Sequence, residues 1–426
     1  STAGLWRSAV DLHAMAGHDR DSAGASDKGA MVQSLCNLVT ALAHSGVIGE
    51  ARSRREEALT LARSVGDDHL VLTALTCWRT PSIWTTRPDR LLDPVMSTAI
   101  REMLPHTTGA DRAWLLVTAV AEFEGNEERF AAQCSQEALD LARTVDDPEL
   151  LCAALNARVH TAIGPDDNHL LAGFAEEFVA TAESVGNTDY AAAAHFFMAV
   201  TRAGQTDLVA THREMSLAMQ SATSGKVAEL VVVQATFGAV LDVLRGDLDK
   251  AAATYHAIGA QLAAAGNPAG EVFTLIEELS IGWYRGSVGH LIDAGLRDIY
   301  ETAPESIAWV YAAALIDAGR LDEARTVAAR GYRTVRDYYW TALEAFHAYA
   351  LIKLGMAEEA AELYAELKDW SGTIAGLTST SVVFGPMDDL LAGLAELCGD
   401  ADAAARHREI SATVMADVRR QLAEIG

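Results

Sequence analysis

One passage of this chain occurs twice and, more faintly, a third time. Glu57–Leu75 reads Glu-Ala-Leu-Thr-Leu-Ala-Arg-Ser-Val-Gly-Asp-Asp-His-Leu-Val-Leu-Thr-Ala-Leu, and a near copy fills Glu137–Leu155, displaced by 80 residues. Glu177–Asn187 is a weaker copy, displaced by a further 40. Each copy reads as the end of one amphipathic helix, a short polar break and the start of another. Self-similarity at a period of about 40 residues is the mark of a helical-repeat array, whose units cannot bury their apolar faces alone. The expected fold is therefore all-α, an α-solenoid of tetratricopeptide-like helix pairs wound as a right-handed superhelix.

A second signal supports this. Gly-x4-Ala recurs at Gly46/Ala51, Gly246/Ala251, Gly319/Ala324, Gly355/Ala360 and Gly399/Ala404. Glycine after a first helix supplies a left-handed cap, and the small alanine lets the antiparallel partner approach closely. Polar breaks near 66, 109, 146, 186, 224 and 266 continue the spacing, which predicts roughly ten helix pairs.

Three regions are expected. Residues 1–28 hold a helix and a polar loop, and the abrupt helical start reads as the continuation of a missing upstream domain. Residues 29–303 hold repeats of about 40 residues, and residues 304–426 hold shorter tetratricopeptide-like ones. Two places break the pattern. Trp78–Arg90 puts two Pro and two Trp into a helix connection, and 371–386 is a Gly/Ser/Thr-rich insert. Irregular segments in an array tend to gather on its binding face.

The chain carries 33 Lys+Arg against 59 Asp+Glu, a formal net charge of −26. That field opposes nucleic acid and anionic membrane surfaces, since phosphate binding needs concentrated positive charge. The cluster Arg52-Ser-Arg-Arg55 is expected on a solvated helix face. No apolar run of about 18 residues suggests a membrane span. The five cysteines form no C-x-x-C pair, and buried thiols in a reducing cytoplasm are the plain reading.

No sequence pattern for a metal, a cofactor or a catalytic nucleophile is present, and an enzyme is not expected. Asp166-Asp167 and Asp388-Asp389 are expected to cap helices. His212-Arg-Glu-Met-Ser216 and His407-Arg-Glu-Ile-Ser411 echo each other as repeat surface. The favoured binding candidates are Trp78, Trp84 and Arg87, which offer aromatic faces beside a planar cation suited to an anionic or aromatic ligand. Trp84 has the alternative of plugging a junction between helix pairs. Asn156 and Arg158 point either into a concave groove or to solvent. His195 is either a groove contact or a satisfied core histidine. Of Tyr338, Tyr339 and Trp340, one is expected in the core and one in the groove.

Trp84-Thr-Thr-Arg87, Leu155-Asn-Ala-Arg158, His195, Asp337-Tyr-Tyr-Trp340 and Phe384-Gly-Pro386 followed by Gly399-x4-Ala404 resemble one protein region. It is the C-terminal tetratricopeptide-like part of the large Streptomyces antibiotic regulatory protein family; the repeat region of large LuxR-type regulators is a related likeness. The resemblance implies a sensor region of a bacterial activator of secondary metabolism. It also implies DNA-binding and ATPase domains elsewhere, since no G-x-x-x-x-G-K-[ST] loop occurs here. The expected partners are a small-molecule effector, or a protein or peptide, in the concave groove, together with those missing domains. A stand-alone tetratricopeptide adaptor for protein–protein interaction is the alternative.

Overall fold

A computed structural model describes residues 2–16, 25–84, 92–225, 229–264 and 269–426. Twenty-one α-helices occur among them. The first third holds α1 (Thr2–Ala16), α2 (Ala25–His44), α3 (Ile48–Val65), α4 (Asp68–Thr76), α5 (Pro94–Met103), α6 (Gly109–Phe123) and α7 (Glu128–Ala142). Next come α8 (Pro148–Ala162), α9 (Asn168–Val185), α10 (Thr188–Gly204), α11 (Leu208–Gly225), α12 (Glu229–Arg245), α13 (Leu248–Ala264) and α14 (Ala269–Arg285). The last third holds α15 (Leu296–Thr302), α16 (Pro304–Asp317), α17 (Leu321–Ala328), α18 (Trp340–Leu354), α19 (Ala357–Leu367), α20 (Met387–Leu397) and α21 (Ala401–Ile425).

The repeated passage marks the joints α3–α4, α7–α8 and α9–α10. In each, a side chain at the break accepts from the first turn of the next helix: Asp67 from His69 N–H, Asp147 from Glu149 and Leu150, Asn187 from Asp189 and Tyr190. This satisfies amide groups that have no intrahelical partner. The five Gly-x4-Ala elements share one geometry. All five glycines have positive φ, and all five alanines are at most 1% exposed. The amide after each glycine reaches back to a carbonyl of the preceding helix, as in Val47 to Leu42, Asp247 to Asp242 and Met356 to Leu351. These are Schellman caps.

Most consecutive helices pack against each other, and the even-numbered helices from α2 to α10 also touch one another in succession. So do α16, α18 and α20. One apolar core runs from Ala3 to Leu422 and crosses the 303–304 boundary without interruption, with α15 packed on α16. Among the described residues there is no strand beyond an isolated antiparallel bridge between Ile374 and Pro386.

The 371–386 insert is buried rather than draped over the surface. Leu377, Thr380 and Val383 have no exposure, and Phe384 packs on Phe346 at 4.9 Å and Trp283 at 5.5 Å between ring centroids. Its carbonyls at Ser381 and Val383 accept from Tyr255 on α13 and Ser280 on α14, and its Gly376 amide donates to Thr341 on α18. Gly376 has φ +83°, and a Cβ there would stand 2.9 Å from the Val382 carbonyl oxygen. The tight fold of the insert thus requires a residue without a side chain. Helix α21 also returns to the middle of the chain, where Gln421 accepts from the Leu208 amide at 2.6 Å and donates to the Thr206 carbonyl at 2.9 Å.

Three sequence expectations are corrected. Asp388 does not cap α20, which starts after Pro386 without a side-chain cap. Asp388 is fully buried and accepts from Ser371 Oγ at 2.7 Å and the Gly372 amide at 2.6 Å, with His407 Nδ1 at 2.6 Å. Asp167 stands at the N-cap position of α9, but its side chain pairs with Arg158 and that of Asp166 with Arg336, so neither carboxylate caps the helix. The two His-Arg-Glu echoes are surface only in part: His212, Arg213, Arg408 and Glu409 are exposed, but Glu214 and His407 are buried. Finally, Arg55 is 4% exposed; its place is a buried ion pair, not a solvated face.

Candidate functional site

After α4 the described residues 77–84 form a non-helical stretch, which is held at two points. At its start, Arg55 Nη2 donates to the Leu75 carbonyl at 2.6 Å, and Thr40 Oγ1 donates to the Cys77 carbonyl at 2.7 Å. These donors take carbonyls left over at the end of α4. At its far end, Asn156 on α8 clasps Ser82 from both sides. The Ser82 amide donates to Asn156 Oδ1 at 2.7 Å, and Asn156 Nδ2 donates to the Ser82 carbonyl at 3.0 Å. One amide side chain thus acts as a strand would, pairing with a backbone that has no other partner.

Beside this stretch lies a cavity of about 60 Å³ with a wider mouth. Trp78, Trp84 and Trp114 supply its aromatic wall; Arg55, Glu122, Asn156, His160, Tyr190 and Glu229 supply its polar groups. Arg79 stacks over Trp114 with its guanidinium 4.1 Å from the ring centre. Trp84 meets Phe273 of α14 edge-on at 6.0 Å, within a small cluster that includes Val232 and Ile258. It therefore lines the cavity and bridges to a later helix pair at once.

The electrostatics are mixed. Arg55 Nη1 pairs with Glu122 at 2.6 Å, and Arg52 approaches both Glu122 and Asp93 at 3.3 Å. Burial pushes the Glu229 carboxyl above the ordinary carboxylate range and the Tyr190 phenol well above its usual value. Two nitrogens in buried residues lack a hydrogen-bond partner among the described residues: Arg55 Nε, which can only donate, and His160 Nε2. The carboxylate nearest the His160 ring is Glu124, at 3.8 Å. Among the described residues no group of three or more His, Cys, Asp or Glu is placed to hold a metal ion.

The eight residues singled out in the sequence divide as follows. Trp78, Trp84 and Asn156 come together at this cavity. Arg87 lies outside the described residues. Arg158 is 3% exposed and turns away, pairing with Asp167 at 2.7 Å and stacking on Phe174 at 4.8 Å. His195 Nδ1 meets Glu214 on α11 at 2.9 Å. Trp340 is 2% exposed beneath Trp370 and Arg336, while Tyr339 is half-buried beside Tyr338. Trp114, His160, Arg55 and Glu229 were not singled out. The spacing held a signal for one of them, because His160 lies one turn past Asn156 on the same face of α8. Four of the cysteines are buried, and burial raises Cys134 to about 12 and Cys152 to about 11; Cys398 is exposed.

Two expectations follow from these contacts. Asn156→Ala leaves the Ser82 amide and carbonyl without their partner, a loss of about 1–3 kcal/mol, so amide exchange at Ser82 should accelerate while α8 itself stays protected. A variant with unchanged Ser82 protection would refute the clasp. The second concerns Glu214. Burial pushes its carboxyl up, but hydrogen bonds from Arg213 and His195 outweigh this and hold it below the ordinary value. A depressed carboxylate adds stability above its unfolded pKa of about 4.3 and loses it as pH falls through the lower folded value. The melting temperature of Glu214→Gln should therefore fall less steeply than wild type below about pH 4. Parallel curves would show that the pair adds nothing.

No family model matches the sequence, and no curated protein matches it. Among the described residues, no helix is long and apolar enough to cross a membrane.

Proposed function

We propose that this chain is a regulatory helical-repeat scaffold that senses a small effector in the cavity beside the 77–84 stretch. The reading rests on one observation: a tryptophan-walled cavity whose buried Arg55 and His160 each keep a nitrogen without a hydrogen-bond partner among the described residues. Buried polar groups are nearly always satisfied, and exceptions point to a ligand, a water or a function. The succession of even-numbered helices supports the solenoid of tetratricopeptide-like pairs with a right-handed superhelix. On the sequence resemblance, the scaffold serves as the sensor part of a cytoplasmic activator of secondary metabolism, with ATPase and DNA-binding domains as its partners and no catalysis of its own.

The mechanism is a shift between two arrangements of this stretch. Trp84 contacts both the cavity and Phe273 on α14, so a molecule seated against it favours one placement of α12–α14 relative to α3–α8. Only differential affinity for the two arrangements transmits a signal. The adaptor reading draws less support, because the 371–386 insert is itself largely buried and offers little surface for docking.

The test is a thermal-shift screen of a broad metabolite panel on wild type and on Trp114→Ala. Compounds that raise the melting temperature of wild type alone support the reading. A panel with no such compound, or stabilisation that survives Trp114→Ala, overturns it.

A further inference from the structure

The chemistry of the cavity restricts what it can hold, and this step rests on the sensor reading above. Charge is the first filter. Glu122 and Glu229 both face the space, and Arg55 is already paired with Glu122 at 2.6 Å. Among the described lining residues the one guanidinium is already committed to Glu122, so an anionic head would be desolvated there without a counter-charge of its own. A cation is disfavoured for the opposite reason, because Arg55 Nε–H can only donate and is always present. An uncharged oxygen acceptor satisfies both constraints.

Size is the second filter. A water needs about 10–15 Å³ of such space, so the cavity of about 60 Å³ takes a head group of a few heavy atoms. A benzene ring fills an apolar cavity of about 150 Å³, so a ring would stand in the mouth with only its polar end inside. Shape is the third. One face of Trp114 is covered by Arg79, which leaves the half-buried Trp78 and Trp84 to flank a flat group.

We infer that the cavity binds a single-ring aromatic compound through an uncharged carbonyl or hydroxyl group, whose oxygen accepts from Arg55 Nε and His160 Nε2 while the ring stands between Trp78 and Trp84. His160 serves as a donor in the tautomer that protonates Nε2, and the rings of Phe197, edge-on at 5.9 Å, and Tyr338, tilted at 6.0 Å, hold it in place.

Three near-isosteric probes separate the charge classes: benzamide (neutral), benzoate (anionic) and benzamidine (cationic). Ligand-observed NMR on the full chain should show benzamide binding in the millimolar range, at least tenfold tighter than the other two. His160→Phe keeps a ring in the core and removes the donor, and it should weaken benzamide about tenfold; Trp84→Ala should abolish it. A circular dichroism melt of each variant separates lost binding from lost fold. Benzoate or benzamidine binding as tightly as benzamide would overturn the charge assignment, and benzamide binding unchanged by His160→Phe would overturn the site. If none of the three probes binds while metabolites still stabilise wild type but not Trp114→Ala, the single-ring class is overturned and the sensor reading stands. If no compound of either kind binds, both fall.

Discussion

Asp388→Ala is expected to destabilise the protein by about 3–5 kcal/mol, because it leaves three donors without their buried acceptor, at about 1–3 kcal/mol each. The carboxylate has no exposure and holds Ser371, the Gly372 amide and His407. The His407 ring continues to the Tyr364 hydroxyl at 3.0 Å, so the donors and acceptors form an unbroken chain from α19 through α21 to the start of the insert. With Nδ1–H donating to the carboxylate, Nε2 is free to accept from tyrosine, and a neutral imidazole satisfies every partner. The adjacent Asp389 is the control. It is exposed and receives only Ser411 Oγ at 2.6 Å, so Asp389→Ala should cost about 1 kcal/mol or less. Urea unfolding of both variants measures the contrast; equal midpoints would show that Asp388 is not the anchor of the insert.

Arg55→Ala is the second large effect. It removes the partner of Glu122 and the donor to the Leu75 carbonyl in one step, for a cost of about 3–5 kcal/mol. Arg52 at 3.3 Å from Glu122 recovers part of the loss, which places the expected value toward the lower end. The companion variant Arg55→Met with Glu122→Met replaces the pair by apolar groups of similar length and should lie within about 1 kcal/mol of wild type or above it. A double variant as damaged as the single one would mean that the guanidinium acts through the Leu75 carbonyl instead. The 77–84 stretch leaves α4 at that point, so the same variant should loosen Trp78, read as a red shift in tryptophan emission.

Much of the helical architecture was legible because its signals are local. A glycine at the end of one helix and an alanine five residues on report a joint that spans six residues, and all five such joints hold the same cap. One joint escaped for an instructive reason. Between α10 and α11 the corresponding places are taken by Thr206, with φ +60°, and the fully buried Thr211. A β-branched residue rarely adopts that backbone, and here Gln421 and the insert press on the same turn from outside. The buried polar groups were hidden by distance along the chain. Arg55 looks like part of a solvated basic cluster until Glu122, 67 residues later, is brought to it. Asp388 looks like a helix cap until the insert folds back on it. The cavity was half visible: Trp78, Trp84 and Asn156 stood out as breaks or polar exceptions, whereas Trp114 reads as one more apolar residue on α6.

The return of α21 to the middle of the chain bears on the order of events during translation. Repeat arrays can ordinarily settle unit by unit as they emerge, because each unit needs only its neighbour. Here the Leu208 amide waits for a side chain 213 residues further on. At about 5–20 residues per second that delay is roughly 10–40 s. The buried faces of Trp283 and Phe346 likewise lack Phe384 until the insert has been made. Nascent chains halted before position 371 should therefore bind hydrophobic dyes and holdase chaperones, and chains extended through position 426 and clear of the ribosome should shed both.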